Sequence, residues 1–166
     1  RIGDKHSGSK EFTGYISNFR IVKGSLVYTP STATSGLDFG SGAVTSLASN
    51  DSFDFGTNDF TIEFFYKWST NSGYQTVLNH QYNAADACTI QSNANTYKWG
   101  FFGSGMPVTY ESSNATQDVW YHYAFVRNGN NVRIYRDGVV TRDYTHTGTI
   151  GGVDPTEFGH GNTHYD

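Results

Sequence analysis

The sequence predicts an all-β fold, either a sandwich or a barrel, and three observations support this class. First, the 166 residues include only four leucines, four glutamates and one methionine, so residues that favour helices are scarce. Second, 12 phenylalanines, 12 tyrosines and three tryptophans supply the material for a core. Third, turn-forming residues recur about every eight to twelve residues, with no helical period between them. The length suits a single domain.

The clearest strand is predicted at residues 60–68. Phe60, Ile62, Phe64, Tyr66 and Trp68 alternate with mostly polar neighbours, so they fall on one face. This period of two is typical of a half-buried antiparallel strand.

A three-stranded meander is predicted towards the C-terminus. Its strands cover residues 120–127, 132–136 and 139–144, and the turns at 128–131 and 137–138 are rich in Gly, Asn and Asp. In the first of these strands, we expect His122 to be a core histidine on the Trp120 face. Shorter strands are predicted at residues 12–22, 37–39, 43–47, 74–80, 87–92, 97–102 and 107–110.

The charge balance and the single cysteine exclude several classes of partner and bond. The formal net charge is −4, from 15 acidic and 11 basic residues that form no basic cluster, so neither nucleic acid nor an anionic membrane is an expected partner. No apolar stretch approaches the roughly 20 residues that span a bilayer, so membrane insertion is not expected.

The first residues lack the plan of a signal peptide, which leaves processing, a longer parent chain or release by lysis. Cys88 stands alone and is expected to be a buried thiol.

Three segments resemble a known family. Residues 120–138, with Trp120, His122, Ala124 and then Tyr135 before Asp137-Gly138, resemble the W-x-H-x-A … Y-x-D-G hairpin of laminin G-like domains. Residues 60–64 resemble an early strand of these domains, and residues 12–24 resemble their last strand in the form common in bacteriophage tail and structural proteins. Laminin G-like domains belong to the concanavalin A-like lectin/glucanase superfamily. The resemblance implies a two-sheet antiparallel jelly-roll sandwich.

The order of these segments is unusual, because the one that resembles the last strand comes first. The sequence is thus equivalent to a circular permutation, with a closing-strand segment at 1–28, a linker at 29–36 and a sandwich body at 37–166. Tyr15, Ile16, Phe19 and Ile21 would complete a sheet, either in their own sandwich or in an adjacent copy. A tandem-repeat chain divided at an arbitrary seam would give the same order.

Catalysis is not expected. Glucanases of this superfamily carry a Glu-x-Asp-x-x-Glu pattern that places carboxylates on one strand face, and the four glutamates here are scattered. Glu63 lies between Ile62 and Phe64 with no acidic neighbour, and is expected to pair with a charge on a neighbouring strand or to be solvated. His160 and His164 have zinc-ligand spacing for a helix, but the adjacent glycines make a helix there implausible. No cofactor is required.

Calcium is the metal that the resemblance favours, because laminin G-like domains often hold it at a loop rim. Asp and Asn oxygens suit this hard cation. Aspartates in the predicted loops form the candidate ligand set: Asp51, Asp54, Asp59, Asp86 and Asp118. Asx turns use the same residues without a metal, so both interpretations stay open.

Carbohydrate is the ligand that the composition favours, since sugar rings stack on aromatic side chains and their hydroxyls bond to amides. The candidate residues lie in or beside the middle strands: Tyr74, His80, Tyr82, Asn83, Tyr97 and Trp99. The resemblance implies a non-catalytic structural or adhesion module of a virion or another extracellular fibre, with cell-surface glycans, other virion proteins and further copies of itself as partners. The alternative is a filament subunit that polymerises by strand exchange and binds no ligand.

Overall fold

The protein is a sandwich of two antiparallel β-sheets, as predicted. A computed structural model describes residues 14–23, 45–47, 54–80, 88–103, 105–107, 109–151 and 156–158. A search of these ranges for a helix with the length and hydropathy of a membrane span finds none. The strands are β1 (Gly14–Lys23), β2 (Thr45–Leu47), β3 (Phe60–Trp68), β4 (Thr76–His80), β5 (Cys88–Ser92), β6 (Trp99–Gly103), β7 (Trp120–Asn128), β8 (Asn131–Arg136), β9 (Val139–Thr145) and β10 (Thr156–Phe158).

The first sheet, sheet A, has the strand order β1-β3-β7-β8-β9. β3 lies between β1 and β7, and its alternate residues Phe60, Ile62, Phe64, Tyr66 and Trp68 are all buried, which confirms the predicted inward face. The meander is also confirmed, because β7, β8 and β9 pair in succession. These strands form because apolar residues of period two meet the same pattern on their neighbours.

The inward face of β7 is opposite to the one predicted. Directly opposed residues of an antiparallel pair share a face, and the buried Phe64 and Ile62 stand opposite Tyr123 and Phe125. Trp120 and its neighbours on alternate positions therefore point outward. His122 is not a core histidine: it is about one-third exposed, and its Nε2 lies 3.3 Å from Glu63 Oε2.

β1, which contains the segment predicted to close a sheet, stands at one end of the described strand order of sheet A. It pairs with β3 along almost its whole length, from Gly14 opposite Trp68 to Lys23 opposite Phe60, with an irregularity between Ser17 and Arg20. Asn18 adopts a positive φ of 51° within that irregularity. Ile16, Phe19 and Ile21 pack against the core, while Tyr15 lies exposed on the outer surface.

The second sheet, sheet B, has the strand order β2-β10-β4-β5-β6. Its inward face carries Leu78, Ile90 and Phe101, all fully buried, and Cys88 is the buried thiol that the sequence predicts. Burial raises the pKa of this thiol, which keeps it protonated and unreactive. Residues 109–111 extend the sheet beyond β6, since Phe101 N–H donates to the carbonyl of Thr109 and Glu111 N–H to that of Trp99.

The other predicted strands have mixed outcomes. Residues 74–80, 87–92 and 97–102 correspond to β4, β5 and β6. Of the segment predicted at 107–110, the described residues form an isolated bridge at Tyr110. The segment at 37–39 and the linker at 29–36 lie outside the described residues.

Candidate functional site: the outer face of sheet B

Four polar side chains from neighbouring strands share the outer face of sheet B. Gln91 stands opposite both Thr76 of β4 and Gly100 of β6, and Thr89 stands opposite Asn79. Because Ile90 between them points into the core, Thr89 and Gln91 point away from it. We call this set, Thr76, Asn79, Thr89 and Gln91, the polar floor.

Cross-strand hydrogen bonds hold the polar floor in a fixed geometry. Thr89 Oγ1 donates to Asn79 Oδ1 at 3.0 Å, and Gln91 Nε2 donates to Thr76 Oγ1 at 3.2 Å. All four residues are buried, and buried polar groups without partners would be costly. The bonds therefore satisfy these groups and also orient the amides across the sheet.

Aromatic side chains lie beside the polar floor. Tyr110 is bridged to Gly100, and its ring meets that of Phe102 edge-on, with centroids 5.3 Å apart. Gly100 makes room for this ring: a Cβ added there would lie 2.6 Å from Tyr110 Cδ1. Burial, together with the nearby Tyr74, raises the pKa of Tyr110 to about 12. The phenol thus stays protonated and keeps its hydrogen-bond donor at neutral pH.

The predicted sugar-binding residues do not form one patch. Tyr74 is exposed two residues before β4 begins. It belongs to the outer face because the adjacent Gln75 is buried and accepts a hydrogen bond from the Tyr66 hydroxyl in the core. The Tyr97 hydroxyl donates a hydrogen bond to Gln117 Oε1 at the same end of sheet B. His80 is at the opposite end of β4, and Tyr82 and Asn83 lie outside the described residues.

Trp99 must be removed from the predicted set. It is fully buried and its ring packs on Trp68 at 4.7 Å and on Tyr66 at 5.0 Å. Directly opposite Ser92, Trp99 faces the core, where no sugar can stack on it. The local sequence, a tryptophan followed by a glycine in a short strand, does not indicate which face of the sheet Trp99 is on. The pairing register with β5 determines that it faces the core.

The aspartates predicted as calcium ligands do not form a metal-binding group where they are described. Asp54 Oδ1 accepts from Gly56 N–H, which is the Asx turn named as the alternative. Asp59 Oδ1 accepts from Gly129 N–H, and Asp118 has a positive φ of 61°. Among the described residues no group of three or more acidic, His or Cys side chains could hold a metal. Asp51 and Asp86 lie outside the described residues, so calcium stays a prediction.

Two glutamates are described in full, and each has an identifiable partner. Glu63 lies 3.4 Å from Arg20 and 3.3 Å from His122, so of the two alternatives given for it, pairing with a neighbouring strand or solvation, the structure shows the pairing. Glu111 is buried, and its Oε2 accepts from Trp99 N–H at 2.9 Å. The two side chains belong to different sheets. They do not form the adjacent pair that retaining glycosidases use.

Comparison with known proteins identifies the family. Residues 39–165 match the model described as the concanavalin A-like lectin/glucanases superfamily. A galectin of Caenorhabditis elegans is 14% identical, with 71% of this chain and 84% of that chain covered and a TM-score of 0.45. A β-glucanase of Bacillus licheniformis is 14% identical, with 64% and 60% covered and a TM-score of 0.41. No curated protein matches. The family match covers most of the chain, which therefore belongs to the concanavalin A-like lectin/glucanase superfamily.

Proposed function

We propose that the chain is a carbohydrate-binding module and that the outer face of sheet B is its binding surface. The observation that carries the proposal is the polar floor with Tyr74, Phe102 and Tyr110 beside it. A pyranose presents C–H faces that stack on aromatic rings and hydroxyls that bond to amides and side-chain oxygens. Tyr74, which is exposed, and Tyr110 would contact the ring and bond its hydroxyls through their phenol groups, while the buried Gln91 and Asn79 would hold the sheet beneath them in a fixed geometry.

The fixed geometry of the floor supports this role. Affinity improves when the binding groups are already ordered before the ligand arrives. The bonds from Thr89 to Asn79 and from Gln91 to Thr76 supply that order. No group of the floor is ionisable, so the ligand class that fits best is a neutral saccharide.

We further propose that the module is non-catalytic and acts in adhesion on a virion or another extracellular fibre. The engaged glutamates at positions 63 and 111 support the first part, because Glu63 pairs with Arg20 and His122 and the buried Glu111 accepts from Trp99 N–H. The resemblance of residues 12–24 to phage structural proteins supports the second. Incubation of the purified chain with β-glucans tests the first part, and product formation would contradict it.

Glycan binding is tested with Tyr74→Ala, which changes an exposed ring and should not disturb the core. On an array of neutral host-surface glycans, the wild type is expected to bind, and the variant is expected to bind about tenfold more weakly, the equivalent of about 1.4 kcal/mol. Val140→Ala is the matched control, because Val140 is also exposed but lies on sheet A. The proposal would be contradicted if the wild type bound none of the neutral sugars, or if Tyr74→Ala bound them with the same affinity as the wild type.

Strand exchange between copies is the second candidate. It is favoured by the position of β1, which precedes the residues 39–165 matched by the family model and pairs only with β3 among the described strands. An edge strand of this kind can pair with β3 of another molecule through the same hydrogen bonds.

A disulfide trap distinguishes the two arrangements. Val22 stands directly opposite Thr61, so the double variant Val22→Cys/Thr61→Cys should crosslink after oxidation. We expect a crosslinked monomer on non-reducing gels, as the pairing within one chain requires. Crosslinked dimers and longer chains would instead indicate exchange. Each single-cysteine variant is the control, and it should give no monomeric crosslink.

A further inference from the structure

Exposed aromatic side chains also lie on the outer face of sheet A, on the opposite side of the sandwich from the polar floor. Tyr15 of β1, Lys67 of β3 and Trp120 of β7 stand side by side, because Lys67 is directly opposite both aromatic residues. Phe65 lies two residues along β3, on the same face. We call Tyr15, Lys67 and Trp120 the aromatic corner.

The rings of the aromatic corner are open to solvent. Tyr15 is 58% exposed and Trp120 is 45% exposed, while Phe65 is 39% exposed. The centroids of the Tyr15 and Trp120 rings are 6.4 Å apart, and the ring planes meet at 54°. Two tilted rings of this size form a shallow angle that can receive the face of one sugar ring.

A cation lies between the two rings. Lys67 Nζ is 4.5 Å from the centroid of Tyr15 and 5.8 Å from that of Trp120. Among the described residues, Lys67 has no ion pair, whereas the nearby Glu63 is engaged by Arg20 and His122. The cation–π contacts hold the ammonium in place, and its remaining donors can bond an anion.

We propose that the aromatic corner is a second carbohydrate site, separate from the outer face of sheet B, and that it takes acidic sugars. A uronic acid or another sugar carboxylate has the two features that the corner matches. Its C–H face would contact Trp120 and Tyr15, and its carboxylate would pair with Lys67. Charge complementarity at the corner selects this ligand, since no carboxylate among the described residues forms an ion pair with the Lys67 ammonium.

A second copy of the chain fits this face less well. In a symmetric dimer the same patch meets itself, so the two corners would bring two lysine ammonium groups together without a described carboxylate to separate them. An acidic ligand removes that repulsion and covers the same rings.

Tryptophan fluorescence gives a direct readout. Trp68 and Trp99 are fully buried, and Trp120 is the exposed member of the three. Quenching by acrylamide therefore reports on Trp120. We expect trigalacturonic acid to protect the wild type from quenching, and its methyl ester, which has the same rings without the charge, to bind about tenfold more weakly.

Variants measured by calorimetry separate ring from charge. Lys67→Met should lower the affinity for trigalacturonic acid about tenfold and leave that for the methyl ester unchanged. Trp120→Ala should weaken both. Equal binding of acid and ester by the wild type, no binding of either, or acid binding unaffected by Lys67→Met would overturn the proposal.

The proposals for the two sites can be tested independently of each other. Tyr74→Ala should leave binding of the acid unchanged, because Tyr74 lies on the other sheet. If it abolishes acid binding, the acid binds sheet B and the aromatic corner is not the site. If sedimentation velocity shows a dimer that Trp120→Ala dissociates, the corner is an interface between copies and the sugar proposal is overturned.

Discussion

Replacing Arg127 with methionine is expected to lower the free energy of unfolding by about 3 to 5 kcal/mol. The Arg127 side chain is buried, and its guanidinium donates to carbonyls of separate loops: Gly129 at 2.9 Å, Gly56 at 3.0 Å, Gly148 at 2.8 Å and His146 at 3.3 Å. Burial lowers the pKa of Arg127, and the carboxylate of Asp59 opposes that effect. Methionine retains much of the volume but leaves four acceptors without this donor.

Urea unfolding followed by circular dichroism measures the effect. Arg133→Met is the matched control, because Arg133 lies on the adjacent strand, is partly exposed and pairs with Asp143 at 3.1 Å. Such surface pairs contribute at most about 1 kcal/mol. Arg127→Lys, which keeps the charge but not the fork of donors, should fall between the two. A loss below about 1 kcal/mol for Arg127→Met would show that the guanidinium does not hold these loops.

Glu111 is expected to make the protein less stable as the pH rises from about 4.5 to 7. Burial raises the pKa of Glu111 to about 7, and hydrogen bonding by the Trp99 backbone and the charges of Arg136 and Lys98 only partly oppose this. Arg136 Nη1 lies 3.6 Å from Glu111 Oε1, too far for a hydrogen bond, so that oxygen has an electrostatic partner but no hydrogen-bond donor among the described residues.

The sign follows from proton linkage. A folded-state pKa above the unfolded value means that the folded protein binds the proton more tightly, so the stabilisation is complete below about pH 4.5 and is lost as the pH rises through 7. The loss is on the order of 3 kcal/mol, because a pKa that is higher by one in the folded protein corresponds to about 1.4 kcal/mol. Glu111→Gln keeps an acceptor for Trp99 N–H and removes the titration of this group, so the part of the stability loss that Glu111 causes should be absent in the variant.

Urea midpoints measured at several pH values between 4.5 and 8 check this result. The informative quantity is the difference between wild type and Glu111→Gln at each pH, because other titrating groups cancel in it. Glu63→Gln is the control for loss of one carboxylate, and a smaller change is expected because Glu63 remains in contact with water. A pH-independent difference for Glu111→Gln would contradict the linkage.

Local patterns predicted the fold well but the orientation of one strand wrongly. In β3 only one set of alternate residues is fully apolar, so its inward face could be predicted from sequence. In β7 both sets contain aromatic residues, and the pattern alone does not decide between them. Pairing of Phe64 with Tyr123 and of Ile62 with Phe125 decides it, and the same pairing exposes Trp120 for the aromatic corner.

The candidate sites depend on residues that are distant in sequence. Thr89 and Gln91 alternate with Cys88 and Ile90, a sign that could have marked a polar face on β5. Nothing local indicates that Asn79, Gly100 and Tyr110 join them, because cross-strand register brings them together. In the sequence, Arg127 is likewise just one position of an alternating strand. Only the folded structure shows that three loops place their carbonyls around its guanidinium.

By itself the sequence determined the all-β class, the inward face of β3, the meander and the buried Cys88. These features depend on period-two alternation and turn residues, which act over a few positions. Tertiary structure decided which side of β7 is buried, that Trp99 belongs to the core, that β1 forms the edge beside β3, and which side chains share each outer face. Those outcomes depend on register between segments far apart in the chain, and a shift of one residue would reverse every face.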